Sequence, residues 1–219
     1  ICRPVDEILA EARRKTAAGA REITLLGQRV NGYACEHDGR PVAFADLLRL
    51  VNATPGLERL RFMSPHPRHL DERLAAAVRE CRTVCERIHL PVQSGCDRLL
   101  GLMRRGYTRD EFLRRVDILR KAVPDVVLST DIIVGFPTET DEEFAESLSL
   151  VESLGVASAF CFKYSPREGT AAADLPDDVL AAVKVGRLER LNALVDRLTR
   201  ETLSSQVGSR VEVLAETED

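Results

Sequence analysis

Alternating apolar and polar positions divide the chain into short strands and amphipathic helices that take turns. Val5, Ile8, Leu9 and Ala12 share one face of a helix that Pro4 opens and that ends near Gly19. Residues 22–26 read as a short buried strand closed by Gly27. Residues 28–41 read as a polar loop with turn signals at Asn31-Gly32 and Asp38-Gly39. Phe44, Leu47, Leu48 and Val51 place a helix over 44–51. The strand predicted at 57–63 runs into Ser64-Pro65-His66-Pro67, which cannot be helix. A helix over 70–80, a strand over 86–90 broken by Pro91, and helices over 97–103 and 110–122 follow.

The most pronounced pattern lies at 126–139. Val126, Val127, Leu128, Ile132, Ile133 and Val134 are apolar and mostly β-branched, which predicts a strand buried on both faces. Ser129-Thr130-Asp131 interrupts it, and Gly135 and Pro137 stop it. Thr140, with Glu143 three residues on, is a capping box for a helix to about Leu154. A strand over 159–164 and a loop over 165–170 come next. Strand and helix alternate five times with short connections, which predicts an α/β fold around a parallel sheet, either a barrel or doubly wound. Right-handed crossovers then gather the strand ends at 27–28, 64–66, 91–94, 135–137 and 164–165 around one mouth. After Pro176 the pattern changes. Residues 179–205 predict a long charged helix with Leu188, Leu191, Leu194, Val195 and Leu198 at helical spacing, and 208–215 alternate like a strand. The acidic residues 216–219 follow with no partner strand, as if a second domain were cut off at its start.

Composition narrows the class. The 219 residues suffice for one large domain or two small ones, and 44% hydrophobic with 30% charged residues is a globular balance. No apolar run reaches membrane length and no signal-peptide pattern opens the chain. The first residue is Ile on a helix-entry pattern, so a piece of a longer protein is expected. The net charge of −4 argues against a wholly basic nucleic-acid binder. It leaves room for a local basic face, because residues 98–121 carry eight Arg and Lys against three acidic residues. Clustered guanidiniums suit phosphate contact, and equally a solvated helix surface laced with ion pairs. The six cysteines lack the spacing of a disulfide framework and read as reduced thiols.

The mouth holds most of the candidate chemistry. Gln28, Asn31, Gln93, Ser94, Thr130 and Asp131 lie at or near it and can hydrogen-bond the amine, carboxylate and ribose of a nucleotide-like ligand. Each is also an ordinary turn residue. Cys81 and Cys85 have the i, i+4 spacing of a helix face, but position 88 is Ile and no third thiolate completes a cluster motif. His66 and His69 flank Pro67 without a carboxylate–histidine metal spacing. Asp71 reads as a helix cap and His89 as a hydrogen-bonded core residue. Neither a nucleophile elbow nor a phosphate loop is present. No catalytic residue or metal ligand follows from these patterns.

Six blocks in order resemble the radical-SAM methylthiotransferases, most closely the MiaB-type branch that thiomethylates isopentenylated adenosine 3′ of the tRNA anticodon. They are Leu25-Leu26-Gly27-Gln28-Arg29-Val30-Asn31, Ser64-Pro65-His66-Pro67, His89-Leu90-Pro91-Val92-Gln93-Ser94-Gly95, Met103-Arg104-Arg105-Gly106-Tyr107-Thr108, 130–140, and 162–172. The resemblance implies a partial (β/α)6 TIM-like barrel holding S-adenosylmethionine at the strand ends. Gly27 and Gln28 would meet the methionine amino group. Gln93 and Ser94 would sit near the ribose or carboxylate. Asp131, Ile133 and Gly135 would line the adenine, with Tyr164 and Ser165 closing over it. It further implies tRNA contact through Arg104, Arg105 and Arg167, an electron donor such as flavodoxin or ferredoxin, and a monomeric cytoplasmic enzyme. The implied division is a radical-SAM core over 1–175, a linking helix over 176–206 and the start of a TRAM β-barrel over 207–219. The family's two [4Fe-4S] clusters would be held by cysteines this chain does not contain: Cys2 and Cys96 stand where the family usually has Ser, and Thr138 where it usually has Gly. Alone, the fragment is expected to cleave no SAM. Its unpaired edge strand is also expected to limit its solubility. Two rivals share the pattern, a methylthiotransferase acting on threonylcarbamoyl-adenosine and a cluster-free nucleic-acid-binding barrel.

Overall fold

A computed structural model describes residues 2–215. Ile1 and the acidic residues 216–219 lie outside the described residues. The first half runs α1 (Val5–Ala17), β1 (Glu22–Leu25), β2 (Ala34–His37), β3 (Arg40–Ala43), α2 (Phe44–Asn52), β4 (Arg59–Phe62), α3 (Glu72–Glu80) and β5 (Arg87–His89). The second half runs α4 (Asp97–Leu102), α5 (Arg109–Ala122), β6 (Val127–Val134), α6 (Asp141–Leu154), β7 (Ser158–Lys163) and α7 (Ala181–Ser205).

Five of the strands are parallel and lie side by side in chain order. β1 pairs with β4, and β5, β6 and β7 form a second ladder. A bridge between Leu60 and Val84 joins the two groups. There the Leu60 N–H donates to Thr83 O at 2.6 Å, and the Cys85 N–H donates to Leu60 O at 3.0 Å. Because the strands are parallel, their carboxyl ends lie on one edge, as the alternation of elements implies.

The helices cover one face of this sheet. Neighbouring contacts run from α1 to α2, α2 to α3 and α3 to α5, while α6 and α7 lie together over β6 and β7. β6 shows how the face is chosen. Leu128, Thr130, Ile132 and Val134 are buried, whereas Val127, Asp131 and Ile133 are only half-buried. The expected burial on both faces is therefore corrected: period-2 alternation puts one set under the helices and the other on an open face. Leu26, Met63, Phe160 and Phe162 are large exposed hydrophobics.

Three further expectations are corrected. The polar loop at 28–41 contains the hairpin β2–β3, with Ala34 opposite Ala43 and His37 opposite Arg40. Its turn is Asp38-Gly39, with φ of +50° and +69°, the left-handed pair that a two-residue hairpin requires. The strands escaped the pattern because they are four residues long and only half-buried. Residues 208–215 form no strand: Val211 and Val213 are exposed, and no ladder partner stands beside them. Arg59 Nη2 donates to Glu212 O at 3.2 Å. Cys81 ends α3 and Cys85 lies beyond it, so the two share no helix face. The caps form as expected. Asp71 Oδ1 accepts the Leu74 N–H at 2.8 Å, and Thr140 and Glu143 form a reciprocal capping box.

α7 belongs to the same core as the sheet, since Leu191, Val195 and Leu198 are buried within it. Burying Leu191 fully is worth about 1.5–3 kcal/mol. Leu191→Ala is expected to lower stability by about 2–5 kcal/mol, read from the urea midpoint. An unchanged midpoint would show that α7 is not docked.

Candidate functional site

The open face carries a row of polar groups across β5 and β6. His89 lies in register with Ser129, and Asp131 with Phe160 of β7. His89 Nε2 is 3.2 Å from Asp131 Oδ1, and His89 Nδ1 is 3.1 Å from Ser129 Oγ. A carboxylate accepts, so His89 Nε2 donates to Asp131 while Nδ1 and the Ser129 hydroxyl share a hydrogen bond. The Phe160 ring packs edge-on against His89 with centroids 5.9 Å apart. Beyond β5, the Gln93 N–H donates to Asp131 O at 2.9 Å and Gln93 O accepts the Ile133 N–H at 2.9 Å. Asp131, Ile133, Phe160 and Phe162 thus form one patch of carboxylate, aliphatic group and exposed rings, with the Gln93 backbone along its edge. That mixture suits a ligand with a planar base and hydroxyl groups.

The turn after β6 is built on a buried ion pair. Glu139 Oε2 accepts the Gly135 N–H at 2.6 Å and pairs with Arg187 Nη1 at 2.8 Å. The Glu139 side chain is 0% exposed and that of Arg187 6%. Burial pushes the Glu139 carboxyl up, against the Gly135 N–H and Arg187, which pull it down. Arg187 also reaches Asp141 at 2.8 Å. Gly135 has φ of +68°, and a Cβ there would overlap the Lys184 side chain. Lys184 in turn pairs with Asp177 and lies over the Tyr164 ring, 5.4 Å from its centroid. The Tyr164 N–H donates to Val134 O at 2.9 Å, and its ring meets Phe136 at 5.1 Å. α7 therefore seals the β6 and β7 ends from below.

Thr138, in the same turn, takes φ of +66°, a costly conformation for a β-branched residue. Its neighbours offset the strain. Arg98 donates to Thr138 Oγ1 at 2.9 Å and to its carbonyl at 2.8 Å, and the Thr138 N–H donates to Asp178 at 2.7 Å. Arg98 also forks onto Glu143 at 2.6 and 2.7 Å. That pairing, with the Thr140 N–H, holds the Glu143 carboxyl down at about 2. Ser64 and Gln93, just past β4 and β5, also have positive φ, +57° and +79°. Strained backbone thus gathers at the mouth, as it does at ligand sites.

The structure brings Gln93, Asp131, Ile133, Gly135 and Tyr164 together. Gly27 and Gln28 lie at the other end of the arc, lining a cleft of about 540 Å³ between α1 and β1. Ser94 is fully buried, with its hydroxyl 3.4 Å from that of Ser147 on α6 and accepting the Cys96 N–H. Ser165 and Arg167 are exposed on the loop after β7. Arg104 is exposed with φ of +54°, while Arg105 is held by Tyr107 and the Pro91 carbonyl. Much of the basic segment serves packing: Arg109 bonds the Glu146 carbonyl, Arg115 that of Leu70 and Arg120 that of Leu154. Sequence reasoning did not single out Glu139, Lys184, Arg187, Ser129, Phe160 or Phe162 as site residues. For Ser129 and Phe160 the strand register is the missing signal. Arg187 lies 48 residues from Glu139, beyond any local pattern.

A parallel sheet with polar and aromatic side chains gathered at the carboxyl ends of its strands defines an α/β ligand-binding domain. Residues 3–151 match the Radical SAM superfamily, and the chain belongs to that superfamily. It is 50% identical over 214 residues to the tRNA-2-methylthio-N(6)-dimethylallyladenosine synthase of Nitratidesulfovibrio vulgaris, covering 98% of this chain and 48% of the relative. It is 48% identical over 216 residues to the synthase of the same name from Porphyromonas gingivalis, covering 98% and 46%. The chain thus spans about half the length of the curated relatives it matches. Among solved structures, the radical S-adenosylmethionine methyltransferase TsrM from Kitasatospora setae aligns with a TM-score of 0.62 at 19% identity, covering 78% of this chain and 33% of that one. That likeness is one of fold.

Arg187→Met leaves the Glu139 charge buried without its partner and is expected to cost about 3–5 kcal/mol. Adding Glu139→Gln should recover part of that loss, a coupling that denaturant titration of the single and double variants measures. Glu143 predicts an acid transition. Its folded pKa lies below its unfolded one, so its contribution is present above about pH 4.5 and is lost as pH falls toward 2. Glu143→Gln should flatten the difference in urea midpoint between pH 5 and pH 2, roughly the span of the two pKa values.

Proposed function

We propose that this chain is the S-adenosylmethionine-binding core of a tRNA methylthiotransferase acting on N6-isopentenyladenosine beside the anticodon. The observation that carries this reading is the 50% identity over 98% of the chain to a synthase of that name. The chain order of the parallel strands supports an incomplete (β/α)6 barrel, because a doubly wound sheet would reverse its strand order.

The donor set at the mouth fits the cofactor. In this reading Asp131 and Gln93 meet its hydroxyls, Ile133, Phe160 and Phe162 flank its base, and Gly135 with Tyr164 and Ser165 bounds the pocket. Gly27 and Gln28 take the methionine end, and Ser94 fixes the Gln93 turn from beneath. S-adenosylmethionine held by these residues would supply the radical chemistry once an electron donor cleaves it. The residues present do not fit an iron–sulfur cluster: among the described residues no group of three or more His, Cys, Asp and Glu could hold a metal ion. The chain's own work in this reading is to bind and orient cofactor and base.

Arg104, Arg105 and Arg167 are the tRNA contacts in this reading. Residues 1–175 are the core, 176–206 a linking helix and 207–219 the start of a TRAM domain, with the proviso that α7 packs into the core. A flavodoxin- or ferredoxin-like electron donor, a monomeric state and a cytoplasmic location belong to the same reading. No helix among the described residues is long and apolar enough to cross a membrane.

Mass spectrometry of tRNA nucleosides from a strain lacking the gene tests it. The methylthio group on isopentenyladenosine should disappear. Its persistence there, with loss from threonylcarbamoyl-adenosine instead, would assign the chain to the other substrate.

A further inference from the structure

The ends of β1, β4 and β5 converge on a cluster of which the preceding roles use only Arg105. Asn31 staples the first two ends together. Its Nδ2 donates to His66 O at 2.9 Å, and its Oδ1 accepts the His66 N–H at 2.7 Å. His66 Nδ1 accepts the Arg68 N–H at 3.2 Å, so a neutral His66 carries its proton on Nε2 and offers it as a donor. The His69 ring lies 5.8 Å from His66 and the Tyr107 ring 5.7 Å from it. Arg105 is fixed beside them by the Tyr107 hydroxyl at 3.0 Å and the Pro91 carbonyl at 3.1 Å.

The electrostatics of the cluster are one-sided. Burial, reinforced by Arg105, His69, Arg29 and Arg68, pushes His66 down to about 4. Among the described residues, none of these three arginines has a carboxylate within 4.0 Å. Glu111, on the adjoining α5, is engaged in its capping box with Thr108. A cavity of about 150 Å³ opens between Arg68, Tyr107 and Arg115, with Glu111 also in its wall. Other exposed arginines, such as Arg13, Arg40 and Arg114, also stand without a carboxylate among the described residues, so what marks this cluster is the convergence of its guanidiniums on one half-buried ring. Concentrating uncompensated guanidiniums around a histidine costs free energy in the free chain, and a bound anion would recover it.

We infer that the mouth between β1, β4 and β5 is a backbone-phosphate subsite for RNA, gripped by Arg29, Arg68 and Arg105 with His66 as a neutral N–H donor. The assignment rests on the tRNA reading above and adds to it the place where the RNA backbone enters. Cations drawn from the ends of β1 and β4 and from the α4–α5 connection suit successive phosphates of a strand laid across the mouth. Arg29 and Arg68 make no side-chain hydrogen bonds among the described residues, so they are free to follow that strand.

The test is binding of an anticodon stem-loop RNA to the chain over a range of KCl concentrations. For Arg29→Ala combined with Arg68→Ala, the slope of log affinity against log salt should fall by about 1.5, roughly 0.7–0.9 for each phosphate no longer neutralised. Arg200→Ala, on α7 and away from the mouth, should leave the slope unchanged. In parallel, the His66 ring signal, assigned by its disappearance in His66→Gln, is titrated by NMR. RNA should raise the His66 pKa by about one unit, because a neighbouring anion favours the charged ring. Binding with an unaltered slope in the double variant and an unmoved His66 overturns the subsite and leaves the tRNA reading standing. No RNA binding at low salt overturns both. An equal His66 shift with inorganic phosphate or S-adenosylhomocysteine, without the slope change, overturns the assignment to an RNA backbone.

Discussion

The site depends on the ladder that holds β6 between β5 and β7. Its backbone is paired on both sides, from Val127 opposite Arg87 to Val134 opposite Lys163. The pairing decides which side chains face the helices and which face outward. Leu128, Ile132 and Val134 are buried under α6 and α7, so Asp131 and Ile133 face the other side, where Ser129 is itself covered with its hydroxyl against His89. A slip of one residue would exchange the two sets, placing Asp131 in the core and Ile132 in the cleft. Burying that carboxylate without a partner is prohibitive, so the register that stabilises the sheet is also the register that exposes Asp131 and Ile133.

What the ladder cannot do is hold the turn that follows it. Gly135 and Thr138 both sit in the left-handed region, and nothing local makes that favourable for threonine. Contacts from distant elements compensate: Glu139 grips the Gly135 N–H, Arg187 neutralises Glu139, and Arg98 braces Thr138 while forking onto Glu143. This network is not arranged for stability alone. Glu139 Oε1 and Arg187 Nε are buried without hydrogen-bond partners, each a loss on the order of 1–3 kcal/mol. A hydrophobic substitute for the pair would forgo the bond to Gly135, which sets the shape of the turn.

Legibility along the chain followed the range of the interactions. The Thr140–Glu143 capping box, the Asp71 cap and the helices read over 44–51 and to about Leu154 could be read because each is decided within a few residues. The hairpin was half visible, its Asp38-Gly39 turn noticed while its half-buried strands passed for loop. The alternation at 208–215 promised a strand, but a strand exists only against a partner, and no partner strand stands there. At the site, Gln93, Asp131 and Gly135 could be picked out as polar or glycine residues at strand ends. Ser94 shared the same block, yet its hydroxyl turned out to serve α6.

The sequence by itself determined the local order of strands and helices, the edge on which the chemistry would gather and, through its motif blocks, the family. Those follow from periodicity, capping and turn preferences that act over a few residues. The tertiary structure alone decided which polar residues meet. It set His89 between Ser129 and Asp131, placed Phe160 beside them, and brought Arg187 from α7 to Glu139 and Arg29 to the neighbourhood of His66. Those pairings depend on strand register and helix docking across tens of residues. Register and docking are set by the packing of the whole core, so no local pattern encodes them.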